Sequence, residues 1–261
     1  MDHQSARHND HVSGLQRLQK PAKRALRQGR RAALGLKARA RGRLLRGEDV
    51  ACPVCGRSYR RFDPHNGRPA AKCPRCGSLE RHRLLWAVLD QLDRPQDVLH
   101  FAPERRISGR LRSGATRRYV GVDLDPVGDV SLDICRLPFT DRSFDQIVCC
   151  HVLEHIPDDR TALSELARVL RPNGVAVIQV PIGPGPTTDE DFDLGPEERT
   201  SRYGQADHVR LYGVDLVERL QNAFSDVTAV YGIDGPTVEV APSRFSHDGF
   251  SSAINLFVCR R

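Results

Sequence analysis

From about residue 95 onward, short apolar runs alternate with stretches whose apolar residues recur at helical spacing. The runs 98–101, 119–122, 146–150, 175–180, 227–231 and 253–259 read as strands. Between Asp158 and Leu170, Leu163, Leu166, Ala167 and Leu170 share one helical face, and Arg171-Pro172-Asn173-Gly174 supplies the stop. A second helix over about 214–224 turns Leu216, Val217, Leu220 and Phe224 inward. Such alternation predicts an α/β fold, a mostly parallel sheet covered on both faces by helices, with ligands at the carboxyl ends of its strands.

Upstream, the text SLERHRLLWAVLDQL predicts a helix capped by Ser78, with Glu80 in its first turn and Leu84, Leu85, Val88, Leu89 and Leu92 on an apolar face. This helix is expected to fuse whatever precedes it to the α/β domain. Before residue 48 the pattern changes. Residues 1–47 carry 13 Arg or Lys against two acids, a net of +11, while the remainder carries a net of −4. Leu15, Leu18, Ala22, Leu26, Ala33, Leu36 and Ala40 roughly follow helical spacing, interrupted by Pro21, Gly29, Gly35 and Gly42. Such a basic arm suits contact with an anionic membrane surface, a nucleic acid or an acidic polymer; a solvated extension and an organellar targeting segment are the alternatives.

Hydrophobic residues make up 39% and charged residues 28% of the 261, the balance of a soluble globular chain. No apolar run approaches the roughly 18 residues needed to span a bilayer. The polar start from Met1 to Asp10 has no signal-peptide core, so a cytoplasmic location is expected.

Four of the eight cysteines form two close pairs, Cys52/Cys55 and Cys73/Cys76, each in a Cys-Pro-x-Cys-Gly unit. A glycine that relieves each turn and two thiolates per knuckle make up the soft, tetrahedral set that zinc prefers. The 17 residues between Cys55 and Cys73 leave room for a hairpin around Asn66-Gly67. Four thiolates leave no open position, so the expected Zn2+ is structural, standing in for a core that so short a segment cannot build. Iron in the same geometry is the minority alternative.

Acidic residues follow the strands where a ligand is expected. Asp123 ends YVGVD, where a carboxylate can accept from the hydroxyls of a ribose, with Asp125 the weaker candidate; Asp133 in SLDICRLPF can accept from an adenine amino group. HVLEHIPDD offers His151, Glu154 and His155, of which Glu154 and His155 can equally cap or tie down the next helix. ERTSRYGQADHVRLYG gathers Gln205, Asp207, His208, Arg210 and Tyr212; it reads as an acceptor-site loop, although Asp207 and Arg210 can simply pair. His208 is the preferred general base, since an imidazole titrates near neutral pH. Residues 181–198, with GPGP and TTDED, read as an entrance loop or, for the acidic part, a solvated edge.

The stretch DICRLPFTDRSFDQIVCCHVLEHIPDDRTALSELARVLRPNGVAVIQVP resembles the second half of class I S-adenosylmethionine-dependent methyltransferases with the type-11 domain. The features are Asp133, Leu137-Pro138-Phe139, Ser143-Phe144-Asp145 and the helix and turn from Ala162 through Gly174. With the four-cysteine front end, LHFAPE, HVLEHIPDD and GQADHVRLYG, the text over about 51–258 resembles a bacterial subgroup of these enzymes that has a zinc-ribbon-like module. The resemblance implies a Rossmann-like sheet, S-adenosyl-L-methionine as cofactor, Asp123 on its ribose, Asp133 near its adenine and Ile134 beside the ring through its backbone. His151 is then expected near the sulfonium and acceptor, and Glu154 is a further candidate catalytic residue. The family's glycine-rich first loop is replaced here by Leu99-His100-Phe101-Ala102-Pro103-Glu104, so His100, Ala102 and Glu104 stand at the cofactor, Glu104 facing the ammonium of the methionyl part. The missing Gly-x-Gly-x-x-Gly argues against a nicotinamide enzyme, whose pyrophosphate needs such a cradle.

The expected organisation is a basic arm over 1–48, a four-cysteine zinc module over 49–78 and a methyltransferase domain over 79–261. The expected reaction is methyl transfer to oxygen or nitrogen of a small molecule, sugar or glycoconjugate. The alternatives are an RNA methyltransferase that uses the arm and zinc module, and a non-enzymatic zinc-binding scaffold on a degenerate fold.

Overall fold

A computed structural model of the chain describes residues 34–114, 117–123, 129–232, 238–241 and 255–261. The arm before residue 34 and Asp125 lie outside these residues. The chain divides into two compact units at Gly77/Ser78.

The described part of the first unit starts with a helix over 34–44 (α1), so the C-terminal quarter of the basic arm is helical. Strands β1 (Arg46–Cys52) and β2 (Arg57–Tyr59) form one antiparallel hairpin, β3 (Asp63–His65) and β4 (Arg68–Lys72) another. Asn66 and Gly67, both at positive φ, turn the second hairpin at the position expected. Arg41 of α1 is bound by the Asp63 carboxylate through two hydrogen bonds of 2.6 and 2.7 Å. Tyr59, Ala71 and Val54 make a core of only a few side chains.

The second unit opens with α2 (Glu80–Leu89), which buries Leu84, Leu85, Trp86, Val88 and Leu89. Its cap differs from the expectation. Leu79 is the N-cap, and the His82 ring nitrogen Nδ1 accepts from the Leu79 amide at 3.0 Å, while Ser78 stands one residue too early to cap it. Then come β5 (Asp97–Phe101), α3 (Arg105–Ser113), β6 (Arg118–Val122), β7 (Phe144–Cys150), α4 (Asp159–Val169) and β8 (Leu170–Gln179). They continue as β9 (Asp189–Glu190), α5 (Pro196–Tyr203), β10 (Arg210–Leu211), α6 (Leu216–Gln221), β11 (Asp226–Gly232), β12 (Val238–Ala241) and β13 (Asn255–Arg260).

One seven-stranded sheet runs in the order β12-β11-β13-β8-β7-β5-β6. Strands β6, β5, β7 and β8 are parallel, while β13, β11 and β12 are antiparallel additions, so the sheet is mixed rather than mostly parallel. All five residues of β5 are buried, Asp97 and His100 included, which is why no polar–apolar alternation marks it. Leu99, Phe101, Ile147, Cys149 and Ile178 from the parallel strands meet Leu163 and Leu166 of α4 in the core. Asp158 caps α4 by accepting from the Thr161 amide at 3.0 Å. The helix stops at Val169, and Leu170 enters β8 instead of completing the helical face.

The chain adds β6 on one side of β5 and β7 on the other. Strand order therefore reverses at β5, and the crevice beyond the carboxyl ends of β5, β6 and β7 is where such sheets bind ligands.

Candidate active site

Two residues at those carboxyl ends leave the strands with a left-handed backbone, Ala102 at φ 43° and His151 at φ 56°. Ala102 follows β5 and donates its amide to the Val122 carbonyl at 2.7 Å, which sets it beside Asp123 at the end of β6. The glycine-free loop thus takes a turn that favours glycine, using the smallest side chain that has a Cβ. Ala102 is exposed and Asp123 half-buried.

Behind them runs a hydrogen-bonded chain. His100 is fully buried; its Nε2 meets the Glu104 carboxylate at 3.2 Å and its Nδ1 meets the Tyr119 hydroxyl at 2.9 Å. Burial favours the neutral form of Glu104, but the hydrogen bond and charge of His100 outweigh it and hold the carboxyl below its usual range. His100 therefore supports Glu104 from beneath. Burial pushes the Tyr119 hydroxyl up, so it stays a neutral partner.

Asp123 donates its amide to the Val130 carbonyl at 3.1 Å, and Val122 bridges Val130, which brings the segment leading to Asp133 alongside β6. Asp133 is exposed and accepts from the Cys135 amide at 2.9 Å, while Ile134 is buried in the core. Its buried side chain leaves the Ile134 backbone as the part that can line the site.

Beyond β7 the chain makes a 3-10 turn at Leu153–His155. His151 Nδ1 meets Glu154 Oε1 at 3.2 Å, and the His151 side chain is 37% exposed. Its Nε2 has no hydrogen-bonding partner among the described residues. With the proton on Nδ1 facing the carboxylate, Nε2 keeps its lone pair, the arrangement of a base oriented by an acid.

The two polar clusters, read separately from the sequence, pack against each other. The Val209 amide donates to the Glu154 carbonyl at 2.9 Å. Arg210, 1% exposed, donates to the carbonyls of Leu153, Ile156 and Pro157 and pairs with Glu190 at 2.9 Å. It does not lock onto Asp207, whose carboxylate and carbonyl instead lie 3.3 Å from His155 Nδ1. His208 is 2% exposed, and its Nδ1 donates to the Tyr203 carbonyl at 2.9 Å.

The acidic TTDED stretch is neither a free edge nor an open loop. Asp189 and Glu190 form β9, paired antiparallel with β10, and Glu190 binds both Arg210 and Arg219. Tyr212 and Arg219 converge on the buried Asp159 carboxylate at 2.8 and 2.9 Å. Sequence reading missed this Arg210–Glu190–Arg219–Asp159 network; alternating charges spread over 60 residues leave no local signature.

In the first unit, the four expected cysteines do come together. One sulfur from each lies within 4.8 Å of the others, with Cys52–Cys76 at 3.7 Å and Cys55–Cys73 at 3.9 Å. A tetrahedron with zinc–sulfur bonds of about 2.3 Å has edges of about 3.8 Å, so the donor set fits the ion. The knuckles match: Gly56 and Gly77, both left-handed, donate to the Cys52 and Cys73 carbonyls at 2.9 Å each.

A cavity of about 420 Å³ near Asp145 and Asn173 lies at the amino ends of the parallel strands, away from all of these side chains.

Residues 106–178 match the methyltransferase domain family. Over 196 residues the chain is 27% identical to a protein of Mycolicibacterium smegmatis named "Probable S-adenosylmethionine-dependent methyltransferase", covering 66% of this chain and 72% of that one. It is 40% identical over 70 residues to a demethylmenaquinone methyltransferase of Mycolicibacterium paratuberculosis, covering 27% of each. Among solved structures it overlaps an S-adenosylmethionine-dependent methyltransferase of Thermotoga maritima with a TM-score of 0.49 at 17% identity, covering 68% of this chain and 86% of that one. The matched segment contains β6, β7 and α4 and most of β8, the part of the sheet that carries Asp123, Asp133 and His151. With a methyltransferase domain over residues 106–178 on a mixed Rossmann-like sheet, the chain is an S-adenosylmethionine-dependent methyltransferase.

Proposed function

We propose that the chain transfers the methyl group to an oxygen or nitrogen atom of a small molecule, sugar or glycoconjugate. The observation that carries this reading is the His151–Glu154 pair at the carboxyl end of β7, a part-exposed imidazole backed by a buried carboxylate, whose covered Nε2 has no partner among the described residues. S-adenosylmethionine supplies an activated methyl carbon, so the protein has to orient a nucleophile, take its proton and exclude water. In this reading Asp123 holds the ribose hydroxyls, Asp133 and the Ile134 backbone meet the adenine, and Glu104 meets the methionyl ammonium. The left-handed turn at Ala102 keeps the backbone low where the cofactor passes.

His151 takes the acceptor's proton on Nε2, and Glu154 stabilises the imidazolium that forms. His208, the base expected from the sequence, is nearly fully buried, so it stands behind His151 in this assignment. The Cys52, Cys55, Cys73 and Cys76 cluster holds a structural zinc ion that replaces a hydrophobic core in the first unit. None of the eight cysteines is in a disulfide, which suits a reducing cytoplasm. No helix among the described residues is long and apolar enough to cross a membrane. The basic arm offers contact with an anionic membrane surface or polymer, with nucleic acid as the lesser candidate.

Calorimetry with S-adenosylmethionine on the zinc-loaded protein tests cofactor binding, and transfer of labelled methyl groups into fractionated extracts identifies the acceptor. Salt-sensitive RNA binding accompanied by RNA methylation would replace the small-molecule reading.

A further inference from the structure

We propose that Glu154, His155 and His208 form a second metal site, for a divalent transition-metal cation, inside the methyltransferase domain. One ligand atom from each of the three lies within 4.8 Å of the other two. Two of the three are sealed from water: Glu154 is 0% and His208 2% exposed.

The hydrogen bonds fix which atoms point inward. His208 Nδ1 donates its proton to the Tyr203 carbonyl at 2.9 Å, so Nε2 carries a bare lone pair, and no partner meets it among the described residues. His155 Nδ1 faces the carbonyl and the carboxylate of Asp207, each at 3.3 Å, which leaves its Nε2 as the second lone pair. Glu154 commits Oε1 to His151, and its buried Oε2 has no partner. Oε2 and His208 Nε2 are therefore not bonded to each other, as a simple buried ion pair would require.

Two buried acceptors, Glu154 Oε2 and His208 Nε2, with no donor between them are costly in a dry place, and His155 adds a third lone pair at its edge. A cation satisfies all three at once. Imidazole nitrogens whose other ring N–H is tied to a carbonyl or carboxylate are oriented as metal ligands are. The rings of His155 and His208 meet edge to face at 78° rather than stacking, with centroids 4.7 Å apart. Two imidazoles and one carboxylate suit Zn2+, Fe2+ or Co2+, with coordination positions left open.

The site is held before any ion arrives. Val209 N–H on the Glu154 carbonyl and Arg210 on the Leu153, Ile156 and Pro157 carbonyls clamp the two ligand-bearing segments together. The His155 side chain is 27% exposed, which gives an ion and an oxygen ligand a way in. Because Glu154 also touches His151, a cation here sits one carboxylate from the proposed base. In that respect alone the inference rests on the proposed function.

The test uses Co2+ alone, titrated into the full chain without S-adenosylmethionine and followed by absorption. Cobalt at the cysteines gives a thiolate charge-transfer band, and cobalt at the new site gives a spectrum without one. The expected result is such a thiolate-free spectrum in the wild type, with affinity lowered at least tenfold in Glu154→Gln and His208→Asn. His208→Asn keeps a donor for the Tyr203 carbonyl while removing Nε2. His155→Ala, at a partly exposed position, decides the matter if the buried variants fail to fold. A wild type that shows only the thiolate spectrum, or folded variants that keep the second spectrum at full affinity, would overturn the site. Calorimetry with S-adenosylmethionine on the same preparation reports separately on the methyltransferase reading.

Discussion

The buried guanidinium of Arg210 donates to the Leu153 carbonyl at 3.1 Å across 57 residues of sequence. It joins the turn after β7 to the segment carrying His208, and it also serves the Ile156 and Pro157 carbonyls and the Glu190 carboxylate. Replacing it with Met fills the space but leaves these acceptors buried without their donor. Arg210→Met should destabilise the protein by about 3–5 kcal/mol, read as a lower denaturant midpoint. Arg210→Lys should recover less than half of that, because one ammonium cannot reach acceptors spread around a planar fork.

Asp123 is half-buried at the end of β6. A carboxylate accepting from ribose hydroxyls contributes about 1.5–3 kcal/mol, so Asp123→Ala should weaken S-adenosylmethionine binding roughly 10- to 100-fold with little change in stability. Asp133 differs, because one of its oxygens already holds the Cys135 amide. Asp133→Asn keeps that turn and should cost less affinity than Asp133→Ala. Calorimetry on the three variants orders them.

Ala102 has a backbone conformation that costs an L-residue about 1–2 kcal/mol. Glycine relieves that strain and returns part of it as unfolded-chain entropy. Ala102→Gly should stabilise by about 0.5–1 kcal/mol without loss of cofactor affinity, whereas Ala102→Val should lower both the melting temperature and the affinity. A rise in both properties for Val would show that the turn is not strained.

Much of the α/β domain was legible because its strands are short, largely apolar runs bounded by turn residues. The expected run 146–150 is the body of β7, and 227–231 the body of β11. Strand direction was not legible. Nothing in the run before Arg260 says that β13 inserts antiparallel between β8 and β11. The cap of α2 slipped by one residue because His82 competes as an acceptor and a serine in the right neighbourhood looked sufficient. At the site, the left-handed turn at Ala102 was hidden by the absence of glycine. The packing of His208 against Glu154 depends on Arg210, whose bonds to the turn after β7 go to backbone carbonyls and so leave no trace in residue type.

Acid should unfold the domain through the carboxylates at the amino ends of the sheet. Burial alone raises Asp97, but hydrogen bonds from Arg117 and Arg171 and nearby arginine charge outweigh it and hold the carboxyl below its usual range. Asp145 is likewise raised by burial and lowered further by Arg171 and the Asp97 and Gln96 amides. With folded values below the unfolded value of about 3.9, the unfolded chain binds protons first. The stabilisation is thus complete above about pH 5 and is lost as pH falls through the folded values. Arg171→Met removes a partner shared by both acids. It should move the acid-unfolding midpoint, followed by circular dichroism, to higher pH.

The four-cysteine unit should depend on its ion as the larger domain does not. Its described core amounts to Tyr59, Ala71, Val54 and the cysteines themselves, far too little apolar surface to offset the ordering of two hairpins. Four sulfurs at zinc-tetrahedron spacing hold the knuckles instead, and the thiols of Cys52 and Cys73 already press Cys55 below the ordinary thiol range. Cys73→Ser should therefore lose one zinc per chain, and either that variant or a strong chelator should open residues 46–77 to limited proteolysis. Residues 78–261 bury a core of their own and should keep their cooperative melting transition. Retention of protease resistance over 46–77 in the metal-free protein would mean that the hairpins stand without the ion.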